Sequence, residues 1–174
     1  MPAPRGLARL WSHLSWGAQR ARRAFPDELL QRVGQAVADG ERRHSAEIRV
    51  AIEAALPWHR VLRKLSSRER AVEVFSELRV WDTEGNNGVL LYLLLADHAI
   101  ELVVDRAALA ALGAPALDAV CQALGDALRQ GRTDEGLLAA VGELNRLLAE
   151  VFPPLAAEAQ VNELPDRPVR IGGR

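Results

Sequence analysis

Trp81-Asp82-Thr83-Glu84-Gly85-Asn86-Asn87-Gly88-Val89-Leu90-Leu91-Tyr92-Leu93-Leu94-Leu95-Ala96-Asp97 runs from a polar, turn-rich segment straight into an apolar one. From Gly88 to Ala96 the apolar character does not alternate, which marks a strand buried on both faces. Asp97-His98-Ala99 is short enough for a hairpin turn. Ile100, Leu102 and Val104 then alternate along a second, antiparallel strand that ends in Asp105-Arg106. Upstream, Ile48, Val50 and Ile52 alternate within Glu47 to Glu53 as a further strand. A helical segment separates it from the Val89 strand, so those two are expected to run parallel, joined by a crossover. Residues 81–105 thus decide the fold class: α/β, a single-domain sandwich. Its small mixed sheet, a parallel pair plus an antiparallel hairpin, is flanked by helices on both faces.

The helices are read from apolar spacing and caps. Pro26 opens one, with Asp27 and Glu28 in its first turn and Leu29, Leu30, Val33 and Val37 as its apolar face. Ser66 with Glu69 three residues on has capping-box spacing, and Ala71, Val74, Phe75 and Leu78 follow. Pro115 opens a helix to about Arg129. Thr133-Asp134-Glu135 caps a last one, which Phe152-Pro153 ends. Trp58 and Trp81 are read as packing residues. The chain divides into a basic amphipathic N-terminal helix (1–24), an α/β domain (25–154) and an extended C-terminal tail (155–174), with residues 1–4 expected to be disordered.

The N-terminal segment has two readings. Arg5, Arg9, Arg20, Arg22 and Arg23 precede the first acid, Asp27, while Leu7, Leu10, Trp11 and Leu14 recur at helical spacing. Such a helix docks on the domain, or it meets a protein partner or a membrane surface.

At 174 residues and a net charge of −1, one soluble domain with no bulk attraction to nucleic acid is expected. No apolar run reaches the roughly 18–20 residues of a spanning helix, and arginine, histidine and tryptophan interrupt any signal-peptide core. The expected location is cytoplasmic, with a peripheral position at the inner membrane as the variant. The single Cys121 lies in an apolar helical pattern and reads as a buried small hydrophobe. No phosphate-binding glycine loop, nucleophile elbow or paired-histidine metal spacing occurs, and no organic cofactor is expected.

The remaining chemistry is acidic. Because the hairpin strands are antiparallel, Asp105 is expected beside Asp82 to Gly88, with Asp97 at the opposite edge. Hard cations such as Ca²⁺ or Mg²⁺ need several oxygens, and Asp82, Glu84 and Asp105 are the candidate ligands, with Asn86, Asn87 and loop carbonyls in support. The same residues have structural readings. Asp82 caps a turn, Glu84 is solvated, Asp105 pairs with Arg106, and Asn87-Gly88 forms a tight turn needing positive φ.

These segments, in this order, resemble the TPM domain family, named for a thylakoid lumen protein, a photosystem II repair protein and a receptor auxiliary protein. The resemblance is to its short bacterial branch, without signal peptide or transmembrane segment. It rests on Glu47-Ile48, Trp81-Asp82-Thr83, Asn87-Gly88-Val89-Leu90, Glu101 to Ala107, Phe152-Pro153 and Asn162-Glu163-Leu164-Pro165-Asp166, over about residues 20–170. It implies helices on both faces of a central sheet. It also implies either acid phosphatase activity, divalent-cation binding at the sheet edge, or an accessory role beside membrane complexes. The family's glycines before Glu-Ile and after Asp-Arg are Ala46 and Ala107 here. Two functional readings follow. One is a non-catalytic binding or accessory module with a cation site at the acidic edge. The other is a metal-assisted phosphomonoester hydrolase, with Asp82, Glu84 and Asp105 on the cation and Arg106, Asn87 and Gly88 as ligand or phosphate contacts. The Asn162–Asp166 motif reads as a pin holding the tail on the domain.

Overall fold

The computed structural model describes residues 7–154 and 162–172. The readings for residues 1–4 and for the first part of the tail lie outside the described residues. In chain order the elements are α1 (Leu7–Ser15), α2 (Ala18–Ala24), α3 (Asp27–Glu41), β1 (Ile48–Glu53), α4 (Trp58–Leu62), α5 (Ser67–Glu77), β2 (Val89–Leu94), β3 (Ala99–Val104), α6 (Arg106–Leu112), α7 (Ala114–Arg129), α8 (Thr133–Val151) and β4 (Val169–Ile171). A single 3-10 turn, Leu95–Asp97, joins β2 to β3, with His98 in the left-handed region.

The sheet has the order β3-β2-β1-β4. β1 and β2 are parallel, with Ile48 opposite Val89, and β2 and β3 are antiparallel, with Val89 opposite Val104. β4 is a departure from the expected tail. It pairs parallel to β1 from Ala51↔Val169 to Glu53↔Ile171, so the described tail supplies a fourth strand. Its three residues carry too little apolar pattern to announce a strand. The expected N-terminal helix is also two helices, broken at Trp16-Gly17.

Every residue of β1 and β2 is buried. Alternate side chains feed two cores. Ile48, Val50, Ile52, Val89, Leu91 and Leu93 meet α3, α7 and α8 through Leu29, Val33, Leu124, Leu137 and Leu144. Ala51, Leu90, Tyr92 and Leu94 face α4 and α5 through Val61, Ala71, Val74 and Phe75. A sheet covered by helices on both faces is the arrangement that non-alternating strands require. The capping box at Ser66 forms as its spacing predicts, with Ser66 and Glu69 satisfying each other's backbone N–H groups. Thr133 does not cap α8; it is the first helical residue, and Arg132 holds the cap position without a side-chain bond. Trp58 and Trp81 do not pack inward. Both are exposed, one opening α4 and the other in the turn after α5. Cys121 is half-buried, and burial pushes its thiol up to about 11, where it is an inert packing group.

A buried ionic cluster joins α5 to the sheet. Glu53 Oε2 accepts from Arg70 Nε at 2.8 Å and from the Tyr92 hydroxyl at 2.6 Å. Arg70 also donates to Glu73 at 2.9 Å and to Glu77 at 2.7 Å, so one guanidinium gathers three carboxylates. Burial opposes its charge, but these hydrogen bonds outweigh that and hold its pKa above the ordinary arginine value. Tyr92 is held above the usual phenol range by burial and by Glu53. Arg70→Leu strands the Glu53 carboxylate and is expected to cost about 3–5 kcal/mol, whereas Arg70→Leu with Glu53→Leu should recover most of that loss. Urea unfolding of the two variants checks this, and equal losses would contradict it.

Candidate functional site at the amino edge of the parallel strands

The segment between α5 and β2 is shaped by backbone contacts. Thr83 Oγ1 accepts the Asn87 N–H at 3.2 Å, and the Thr83 carbonyl accepts that of Asn86 at 3.1 Å. Positive φ falls on Asn86 (47°) and not on Asn87 or Gly88, the pair the turn reading names. Asparagine tolerates that region better than most residues. Gly88 is required for another reason. A Cβ there would collide with the Val80 carbonyl, which lies against the chain.

Asp105 arrives beside this loop. Its N–H donates to the Gly88 carbonyl at 2.9 Å, and the Ala107 N–H donates to the Asn86 carbonyl at 3.1 Å. Asp105 caps α6, one carboxylate oxygen accepting the Arg106 N–H at 2.7 Å. The structural pairing foreseen for Asp105 with the Arg106 side chain is therefore a bond to its backbone instead. Arg106 itself is exposed.

Asp105, Asn87 and Gly88 are thus brought together, while Asp82 and Glu84 sit exposed on the same loop. Among the described residues, no three His, Cys, Asp or Glu side chains form a group that could hold a metal ion. Any cation here must draw on amide and backbone oxygens beside the Asp105 carboxylate. Two oxygens have no protein partner: Asn87 Oδ1 and Asp105 Oδ2 are both buried and accept no hydrogen bond. Asn87 is 3% exposed, and its Nδ2 donates to the Ser45 carbonyl at 2.8 Å, which orients the amide with its oxygen left over. A buried acceptor without a partner costs about 1–3 kcal/mol.

A second acidic group adjoins the loop. Glu47, just before β1, accepts the N–H groups of Glu163 and Leu164, and Glu163 accepts the Glu84 N–H. Arg49 donates to the carbonyls of Pro165 and Arg167. The tail motif is therefore fastened to β1 by β1's own charged side chains, and Leu164 is buried beneath it. Glu41 completes the group, accepting the Ile48 N–H at 2.8 Å near Asp166, whose proximity helps raise its pKa. Sequence reasoning missed Glu41, which sits on the α3 end and shares no motif with the loop.

Burial raises the Glu41 carboxyl to about 8, with Glu47 and Asp166 adding to the rise. Glu47 is raised as well, again chiefly by burial. In the unfolded chain Glu41 titrates near 4.5. Between these values the folded chain keeps a proton that the unfolded chain has released. Stability is therefore full below the lower value and declines as pH climbs to about 8. A Glu41→Gln variant keeps one acceptor and one donor, so its unfolding midpoint should vary less between pH 5 and 8.5 than the parent's. Parallel curves for the two proteins would contradict the assignment.

A family model described as the TPM domain matches residues 21–147. The solved NMR structure of BA42 protein from the psychrophilic bacterium Bizionia argentinensis is similar, with a TM-score of 0.72 and 25% identity. The match covers 84% of this chain and 94% of that one. No curated protein matches the sequence significantly.

Proposed function

The chain belongs to the TPM domain family, and from that premise we propose that it is an accessory binding module with a divalent-cation site at the amino edge of its parallel strands. The pair of unpartnered buried oxygens, Asn87 Oδ1 and Asp105 Oδ2, carries this reading. They lie on segments that hydrogen-bond each other directly, through Gly88 and Asp105. Both are hard oxygen donors of the kind Ca²⁺ and Mg²⁺ select. A cation would satisfy the two acceptors, with loop carbonyls completing the donor set. Asp82 and Glu84 would add negative potential from the exposed side of the loop.

The phosphomonoester hydrolase reading has less support. The resemblance aligns Arg106 with a phosphate contact, yet no polar contact in the structure ties its side chain to Asp105, Asn87 or Gly88. No described nucleophile and base are poised together at this edge.

Thermal unfolding of chelator-stripped protein, titrated with Ca²⁺ and with Mg²⁺, tests the site. At a hundredfold excess over Kd the native state gains about 2.7 kcal/mol, or roughly 5–10 °C in Tm for a chain of this size. Asp105→Asn keeps the helix cap but lacks the charge, and it should abolish the rise, while Asp82→Asn should weaken it only a few-fold. An unshifted parent midpoint at millimolar metal would remove the proposal.

A further inference from the structure

The first helix is docked the opposite way round from an ordinary amphipathic helix. Its polar side faces the domain. Arg9 binds the Asp97 carboxylate at 2.7 Å and the Leu65 carbonyl at 2.6 Å, and the Ser12 hydroxyl donates to the Ala96 carbonyl at 2.6 Å. His13 Nδ1 accepts the Leu56 N–H at 2.9 Å, so its Nε2 carries the proton and donates to Asp97 at 3.0 Å. Burial opposes the Asp97 charge, but His13 and Arg9 overcome it and hold the carboxyl at about 2. Leu10 alone of the apolar stripe packs inward. Leu7, Trp11 and Leu14, spaced four and three apart, face solvent.

A second helix extends this surface. α1 packs beside α4. Arg9 reaches Leu65 beyond the end of α4, and His13 reaches Leu56 before its start, so the two helices run antiparallel. α4 turns Val61 inward and leaves Trp58 and Leu62 outside. The five outward side chains, Leu7, Trp11, Leu14, Trp58 and Leu62, are each 59–76% exposed. Single exposed apolar residues are ordinary, but five on two adjacent short helices are not.

The segments that carry these helices, with α2, are basic. Residues 7–24 and 57–65 carry seven of the chain's 22 lysines and arginines and none of its 23 acids. Arg9 is committed to Asp97, and Arg60 to Glu73. Arg20, Arg22, Arg23, Arg63 and Lys64 are exposed. Arg20 stacks over Trp16 at 4.2 Å from the ring centroid. Arg63 and Lys64 directly follow Leu62 at the end of α4, and outside these two segments the chain is net acidic.

We infer that the α1–α4 face docks in the plane of an anionic lipid bilayer. Tryptophan rings settle at the headgroup level, leucines enter the acyl boundary, and arginines and lysine meet lipid phosphates. Exposed basic side chains next to exposed apolar ones, on segments with no acid of their own, complement such a surface. This site is distinct from the proposed cation edge. α1 sits on the turn after β2, whereas Gly88 and Asp105 lie at the other end of a six-residue strand, about 20 Å away. A docked domain would therefore present that edge toward the aqueous side.

The test is co-sedimentation of the full chain with phosphatidylcholine vesicles and with vesicles holding 30% phosphatidylglycerol (about a third anionic lipid, as an order-of-magnitude choice). Binding to the anionic vesicles should exceed that to the neutral ones at least tenfold and weaken steeply in high salt. Arg63→Gln with Lys64→Gln should weaken it about 25-fold, roughly fivefold per charge. Trp11→Ser with Trp58→Ser should abolish it. Trp81→Ser, an exposed tryptophan outside the face, should leave it unchanged. All of these side chains are exposed, and circular dichroism confirms that each variant is folded. Absence of binding to anionic vesicles overturns the inference, as does an equal effect of Trp81→Ser. So does a dimer, seen by light scattering, that Trp11→Glu dissociates, because a second copy would then cover the face.

Discussion

The strand at the centre of the sheet, β1, is covered on both faces and along both edges, yet it or its approach carries Glu47, Arg49 and Glu53. A buried charge without a partner costs several kcal/mol, so the rest of the chain must bring partners to it. Arg70 on α5 answers Glu53 and so fixes that helix across one face. The carbonyls of Pro165 and Arg167 answer Arg49, and the N–H groups of Glu163 and Leu164 answer Glu47. The path of the C-terminal segment is thus dictated by charges more than a hundred residues away, and that path delivers β4 to the free edge of β1.

The same logic explains the orientation of α1. Apolar spacing alone would bury Leu7, Trp11 and Leu14. The turn after β2 instead offers a carboxylate, a carbonyl and a nearby backbone N–H, and Arg9, Ser12 and His13 match them one for one. Unpaired, those groups would be expensive to cover, whereas exposed leucines and tryptophans cost comparatively little. Polar complementarity therefore wins the inner face, and the apolar stripe is left to whatever lies outside.

Much of the architecture was readable because local patterns and tertiary demands agree. The unbroken apolar run of β2, the alternation of β3 and the Ser66 capping box each had one sensible interpretation, and each is found in place. The hairpin's antiparallel sense was enough to bring Asp105 to the Asn87-Gly88 loop. What escaped were features settled by distant partners. Three residues, Val169 to Ile171, become a strand only because β1 has an open edge. Glu41 joins the acidic group through the fold and not through a motif. Gly88 is required by the Val80 carbonyl, which no inspection of residues 86–89 discloses. Trp58 and Trp81 look like core material by composition, yet each sits where the chain turns at the surface.

The lateness of β4 has a consequence for biosynthesis. Apart from Leu164, every buried residue of the two cores lies at or before α8 and leaves the ribosome before the strand that closes the sheet. During that interval the backbone donors and acceptors of Ala51 to Glu53 on the β4 side are an open template for any extended segment nearby. The nascent domain is thus most vulnerable to mispairing when it is nearly complete. Arg49 and Glu47, waiting at that edge with unanswered charge, serve as gatekeepers that discourage an apolar intruder and favour the tail.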